Sequence, residues 1–260
     1  MVVPELLTNA AGAPFLSVDG VTLRYRTART QVAATWRVSF DVARQDRFVM
    51  LGPSGCGKST LLKAIGGYMA PTEGRITLSG TPVTKPGPDR IMIFQEFDQL
   101  LPWKTVIENV MFPLVASGKC DARRAREIAA HYVEKVHLGR AINSYPHQLS
   151  GGMKQRVAIA RGLAMEPSLL LMDEPFAALD ELTRRRMQDE LLALWAEAKI
   201  TLIFVTHSIS EAIRIGTRIL LLSPHPGRVQ AELPGLPADA PAAEAVELER
   251  DIHGRLFEHA

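Results

Sequence analysis

No apolar run in this 260-residue sequence approaches the roughly 18 residues that a helix needs to cross a bilayer, so no spanning helix is expected. Residues 1–14 hold Pro4 and Glu5 and lack both a basic start and an apolar core, which argues against a secretory signal. We expect a flexible leader there and a product that stays in the cytosol. Cysteine is scarce too. Cys56 and Cys120 are the only two, too few for a disulfide framework or a metal-ligand cluster. Charge imbalance is also missing: 30 Lys and Arg against 28 Asp and Glu leave a net +2, too weak a field to make nucleic acid or anionic lipid the main partner. The short basic runs, Arg123, Arg124 and Arg126 and then Arg184, Arg185 and Arg186, read as solvated helix faces. What is present is 47% hydrophobic and 22% charged residues, enough to bury one α/β core with an elaboration.

Two phosphate-cradling sequences stand out. Gly52-Pro53-Ser54-Gly55-Cys56-Gly57-Lys58-Ser59-Thr60 fits G-x-x-x-x-G-K-[ST], in which backbone N–H groups face phosphate oxygens, a lysine neutralises charge and a hydroxyl binds magnesium. Its context fits, with an apolar strand at 48–51 before it and a helix at 59–65 after it. Cys56 reads either as a small residue that fits the loop or as a thiol made reactive by the helix start. The second sequence is Leu149-Ser150-Gly151-Gly152-Met153-Lys154-Gln155-Arg156. It sets Ser150, Gly151 and Gly152 at a helix start, where N–H groups and the helix dipole attract an anion.

Four apolar runs end abruptly in polar residues: 48–51 before the phosphate loop, 91–94 before Gln95, 169–172 before Asp173 and Glu174, and 202–205 before Thr206 and His207. In parallel α/β sheets ligands bind beyond the carboxyl ends of strands, so these groups are expected to gather around one nucleotide. Lys58 and the N–H groups of residues 55–60 would hold phosphates. Ser59 and Asp173 would hold Mg²⁺, Asp173 directly or through water. Glu174 is the candidate for orienting and deprotonating the attacking water. His207 would contact the γ-phosphate, and Gln95 would complete the metal shell.

Around these motifs, residues 15–42 alternate as antiparallel strands, 74–80 is a bounded strand, and the stretch 95–161 is mainly helical. There Asp121 is the expected N-cap of a helix whose stripe is Ala125, Ile128, Tyr132 and Val136. A later helix presents Met187, Leu191, Leu194, Trp195 and Ala198. From 231 the composition turns rich in Pro, Ala and Glu before a helix at 243–258, either a weakly attached tail or a dimer-supporting element.

On these motifs, in this order and spacing, residues 15–228 resemble the ATP-binding cassette ATPases that drive ABC transporters. The resemblance implies an α/β fold: a P-loop NTPase core, RecA-like with a mostly parallel sheet, an N-terminal antiparallel β subdomain and a helical signature subdomain at about 96–161. It divides the chain into a leader at 1–14, the ATP-binding domain at 15–230 and a tail with a short helix at 231–260. It identifies Leu149-Ser150-Gly151-Gly152-Met153 as the family signature, Gln95 as the Q-loop, Leu170 to Glu174 as the Walker B strand, Ala178-Leu179-Asp180 as the D-loop and His207 as the switch histidine. Tyr25 resembles the aromatic residue that stacks on adenine, with a packed strand tyrosine as the alternative. The expected cofactors are ATP and Mg²⁺. The expected assembly is a head-to-tail homodimer in which the signature of one subunit closes over the ATP of the other, docked on two permease subunits at the cytoplasmic face of the membrane and served by a solute-binding protein.

A closer resemblance, to the nitrate, sulfonate and taurine importer branch, rests on residues 94–103, Glu174-Pro175-Phe176-Ala177-Ala178-Leu179-Asp180, Thr183-Arg184, Met187-Gln188, Leu194-Trp195 and Pro226-Gly227-Arg228. Residues 100–103 are expected either to receive the permease or to pack internally. Gln45-Asp46-Arg47 departs from the family's Gly-Glu turn, and since Asp tolerates turns a local change is expected. Two other readings stand beside this one. One is a soluble ABC ATPase acting on nucleic acid or ribosomes, which usually carries two cassettes or a long coiled-coil insertion. The other is a P-loop kinase, for which the signature and Glu174 would have no purpose.

Overall fold

The computed structural model describes residues 14–26, 31–95, 99–177, 179–237 and 239–257. Most of the leader, residues 96–98 of the Q-loop region, Ala178 of the D-loop and the last three residues of the tail therefore lie outside the described residues. The chain forms two compact units, Met1–Gly87 with Thr201–Ala260, and Pro88–Ile200.

In the first unit, β1 (Leu16–Arg26) pairs antiparallel with β2 (Gln31–Val42) and with β4 (Glu73–Leu78), which also pairs with β5 (Thr81–Pro82). Val18, Val21 and Leu23 are all buried although Val18 and Val21 are three apart. A register shift between them absorbs the extra residue, and Gly20 takes the positive φ of 61° that a bulge favours.

The same unit holds β3 (Arg47–Leu51), paired in parallel with β8 (Thr201–Thr206) on one side and β9 (Arg218–Leu222) on the other. Residues 48–51, 203–205 and 219–222 are fully buried, as parallel strands covered on both faces must be, which is why each reads as an unbroken apolar run. β10 (Val229–Pro234) pairs antiparallel with β9. Helices α1 (Lys58–Ile65), α6 (Ile209–Ile215) and α7 (Ala242–Phe257) complete the unit. The α7 helix is docked rather than loose, packing on α6 and burying Ile252 and Leu256. The turn at 45–46 differs from the expectation in detail. Gln45, not Asp46, takes the left-handed conformation at φ 64°, tied by its N–H to Thr201 Oγ1 at 3.0 Å, while the Asp46 carboxylate accepts the Ala43 N–H at 3.0 Å.

In the second unit, β6 (Arg90–Ile93) and β7 (Leu169–Asp173) run parallel, with Ile93 opposite Met172. Its helices are α2 (Val106–Ala116), α3 (Ala122–Lys135), α4 (Gly151–Ala164) and α5 (Glu181–Ala198). Each of the four starts at a side-chain cap. Thr105 forms a capping box with Glu108, whose carboxyl is held below its ordinary pKa by the Thr105 N–H and hydroxyl. Asp121 caps α3 as expected, accepting the Arg124 N–H at 2.8 Å.

Two helix faces match the expected stripes in part. On α3 Ala125 and, at its C-cap, Val136 are buried as expected, but Ala129 and Val133 take the places between them while Ile128 and Tyr132 are half-buried, because the alanines permit close approach to α2 and α4. On α5 Gln188 is buried with Met187, Leu191 and Leu194, while Ala198 is exposed and Trp195 spends its indole N–H on Ile200 O at 2.7 Å.

Candidate active site

Leu51 ends β3 and the chain turns through Gly52 to Gly57 into α1. Gly57 is the N-cap of α1 at φ 97°, with no side-chain cap, so the chain turns into the helix at a glycine and the first-turn N–H groups lie at the loop, where a helix start favours an anion. Gly55 has φ 80°. Lys58 is buried, its ammonium donating to Gly52 O at 2.7 Å and Pro53 O at 3.0 Å, which arches the loop. Cys56 is fully buried with its sulfur 4.0 Å from Lys58 Nζ, which fits the small-residue reading and leaves no accessible thiol for redox chemistry.

Leu51 lies opposite Thr206 in the parallel ladder, so Gly52 and His207 emerge at the same edge of the sheet. His207 is exposed. Its flanking residues are braced: Thr206 Oγ1 donates to the buried Glu211 carboxylate at 2.5 Å and accepts the Ser208 N–H at 3.0 Å, while Ser208 caps α6. Tyr25, in the same unit, is 47% exposed near the end of β1, not a packed core tyrosine.

In the second unit the β6–β7 register brings Gln95, Asp173 and Glu174 to one edge. Gln95 is exposed and Asp173 is buried. Glu174 adopts φ 42°, a left-handed conformation that a non-glycine residue takes at a cost of about 1–3 kcal/mol, and it precedes Pro175, which narrows its choices further. Strain of this kind at a carboxylate fits a group held for chemistry rather than for packing.

Ser150 is exposed and caps α4, accepting the Met153 N–H at 3.3 Å. A Cβ at Gly152 would lie 3.2 Å from Leu179 Cδ2, so the turn into α4 sits against Leu179 of its own chain. Asp180 caps α5 through the Thr183 N–H at 3.0 Å, and that bond holds its carboxyl below the ordinary range.

Several residues have structural jobs that the sequence reading did not assign to them. Arg184, grouped with a solvated run, instead donates to Leu179 O at 2.8 Å and Phe176 O at 3.4 Å, holding those two carbonyls ahead of α5. The Gln99 side chain brackets Phe94, accepting its N–H at 3.3 Å and donating to its carbonyl at 3.0 Å. Arg161, whose pKa is lowered by burial, donates to Gln99 O at 2.8 Å. Glu211 had a local cue, since Ser208-Ile209-Ser210-Glu211 fits the S-x-x-E helix-start pattern.

Residues 36–177, more than half of the chain, match the ABC transporter family model. The chain belongs to this family. The taurine import ATP-binding protein TauB of Rhizobium johnstonii is 50% identical over 219 residues, 83% of this chain and 82% of that protein. The nitrate import ATP-binding protein NrtD of Synechococcus elongatus is 38% identical over 243 residues, 93% and 88% of the two chains. Among solved structures, the ATP-binding cassette MJ0796, a dimer in a post-hydrolysis state bound to ADP and Pi, superposes with a TM-score of 0.76 at 32% identity. That match covers 85% of this chain and 99% of that one. The α/β P-loop fold expected from the sequence is therefore the fold of this ABC ATPase.

Proposed function

We propose that this ABC ATPase hydrolyses ATP to power an importer of a small nitrate-, sulfonate- or taurine-like solute, working as a homodimer on two separate permease subunits. The observation that carries the reading is a chain with two helix starts suited to anions, Gly57 with Lys58 in one unit and Ser150 in the other. A two-fold dimer uses both, each nucleotide lying between the phosphate loop of one copy and the signature of the other.

In this reading the N–H groups of residues 55–60 and Lys58 hold the phosphates, and Tyr25 stacks on adenine. Ser59 and Asp173, with Gln95, would hold Mg²⁺, which when bound neutralises phosphate charge. Hydroxyl, carboxylate and amide oxygens are the hard donors that ion takes. Glu174 accepts a proton from the water that attacks the γ-phosphorus, the bond to the ADP oxygen breaks, and His207 holds the γ-phosphate. Asp180 belongs to the loop facing the partner copy.

The permease surface is assigned to the loop before α2. Leu100 is buried and packs internally, whereas Trp103 is 70% exposed, and beside it α2 lines a cavity of about 370 Å³ with Lys104, Phe112 and Val115. Asn109, fully buried, fixes this loop by accepting the Leu101 N–H at 2.8 Å and donating to Lys104 O at 2.9 Å. Such a docked chain would sit peripherally on the cytoplasmic face of the membrane, with cargo delivered to the permease by a solute-binding protein.

The purified protein is expected to release phosphate from Mg-ATP. Lys58→Ala should no longer bind ATP, and Glu174→Gln should lose about 10²-fold or more in turnover while still binding it. Phosphate transfer to an added alcohol rather than to water would mark a kinase instead. Capture from the native membrane should bring down permease subunits. Ribosomes or nucleic acid in their place would contradict the importer assignment.

A further inference from the structure

Residues 223–228 form a tight turn between β9 and β10. Ser223 closes it: its N–H donates to Arg228 O at 2.9 Å, and its Oγ accepts the Arg228 N–H at 3.0 Å and lies 3.3 Å from Pro226 O. Within the turn, Gly227 is bonded on both sides to β2, donating to Ala34 O at 3.0 Å and accepting from Trp36 N at 2.9 Å. That stretch of β2 lies directly on the phosphate loop. A Cβ at Gly57 would sit 2.5 Å from Ala34 O and 2.8 Å from Thr35 Cγ2.

The turn also meets the loop itself. A Cβ at Gly227 would lie 2.1 Å from Cys56 O, and one at Gly52 would lie 2.8 Å from Leu222 O, just before the turn. These separations are far inside van der Waals contact, where repulsion rises steeply. Gly227 is not among the glycines with positive φ, so space rather than backbone conformation is what requires it.

We propose that the 223–228 turn, with Gly227 as its contact point, positions the phosphate loop for nucleotide. Cys56 O and the Gly57 N–H belong to one peptide group, so whatever rests against the carbonyl sets the direction of the N–H. A methyl at Gly227 must displace that peptide, and hydrogen bonds weaken steeply once their angle is lost. Gly227 acts through the loop and touches no reacting atom. The proposal rests on the nucleotide reading of that loop given above.

The test titrates wild-type and Gly227→Ala protein with ADP by calorimetry and records the melting of each without nucleotide. We expect cooperative melting in both and an affinity loss of about tenfold or more in the variant, one well-aimed phosphate contact's worth. An affinity within about threefold of wild type overturns the proposal. If Gly227→Ala does not fold, Ser223→Ala decides. Loosening the turn should raise the KM for ATP severalfold with kcat at saturating ATP retained, and an unchanged KM, or a fall in kcat alone, overturns it. Failure of the wild-type protein to bind ADP would instead remove the nucleotide reading itself, and the proposal with it.

Discussion

Asp180 shows how one carboxylate ties protonation to local structure. Its pKa is lowered chiefly by the Thr183 N–H at the start of α5, so the charged form is preferred in the folded chain. A lowered folded value means that its stabilisation is fully present above the unfolded pKa of about 3.9 and is lost as pH falls through the lower folded value. Asp180→Ala should therefore melt earlier than wild type at neutral pH, with the gap closing below about pH 4, and Asp180→Asn should keep much of the cap. Thermal melts across pH check this. An undiminished gap in acid would show that the carboxylate charge is not what matters. Glu174, two residues past the opposite-strand partner of Ile93, combines a left-handed backbone with a position beside buried Asp173. The Asp-Glu pair at the end of an apolar strand was legible in the sequence, but the strain at Glu174 was not, since φ depends on the turn that surrounds it.

Between strand and helix, the braces decide where the reactive groups point. Thr206→Val preserves shape but takes the hydroxyl from both the buried Glu211 carboxylate and the Ser208 N–H, a loss of about 1–3 kcal/mol. Denaturant melts should show that loss, and ATP turnover should fall more than ATP affinity because His207 lies between the two braced residues. Equal falls in both would assign Thr206 to folding alone. Arg184→Ala should likewise lower turnover with ATP binding kept, by freeing the carbonyls of Phe176 and Leu179. What could be read in advance divides along the same line. The phosphate loop, the Asp173-Glu174 pair, the cap Asp121 and the helix start at Ser150 are local patterns whose physics needs only neighbouring residues. The Gln99 bracket with Arg161, the Gly227 contact with Cys56 and the burial of Ala129 and Val133 on α3 and of Gln188 on α5 depend on partners 60 or more residues away or on which neighbour a helix meets. No spacing encodes them. Arg184 misled for a related reason, because its exposed neighbours Arg185 and Arg186 share its composition but not its carbonyl partners.

For the whole chain, the central claim is that a monomer holds two half-sites and that ATP joins them across a pair. Ser150 is exposed at the start of α4, as a group offered to another subunit must be. The phosphate loop and its lysine belong to the other unit. Blocking hydrolysis without weakening binding should therefore make ATP an adhesive. The direct measurement is the mass of Glu174→Gln protein by light scattering at saturating Mg-ATP and again without nucleotide. The account predicts a stable dimer with ATP that reverts to monomer when the nucleotide is removed and does not form when Ser150 is also changed to Arg. A protein that binds ATP yet remains monomeric throughout would contradict it.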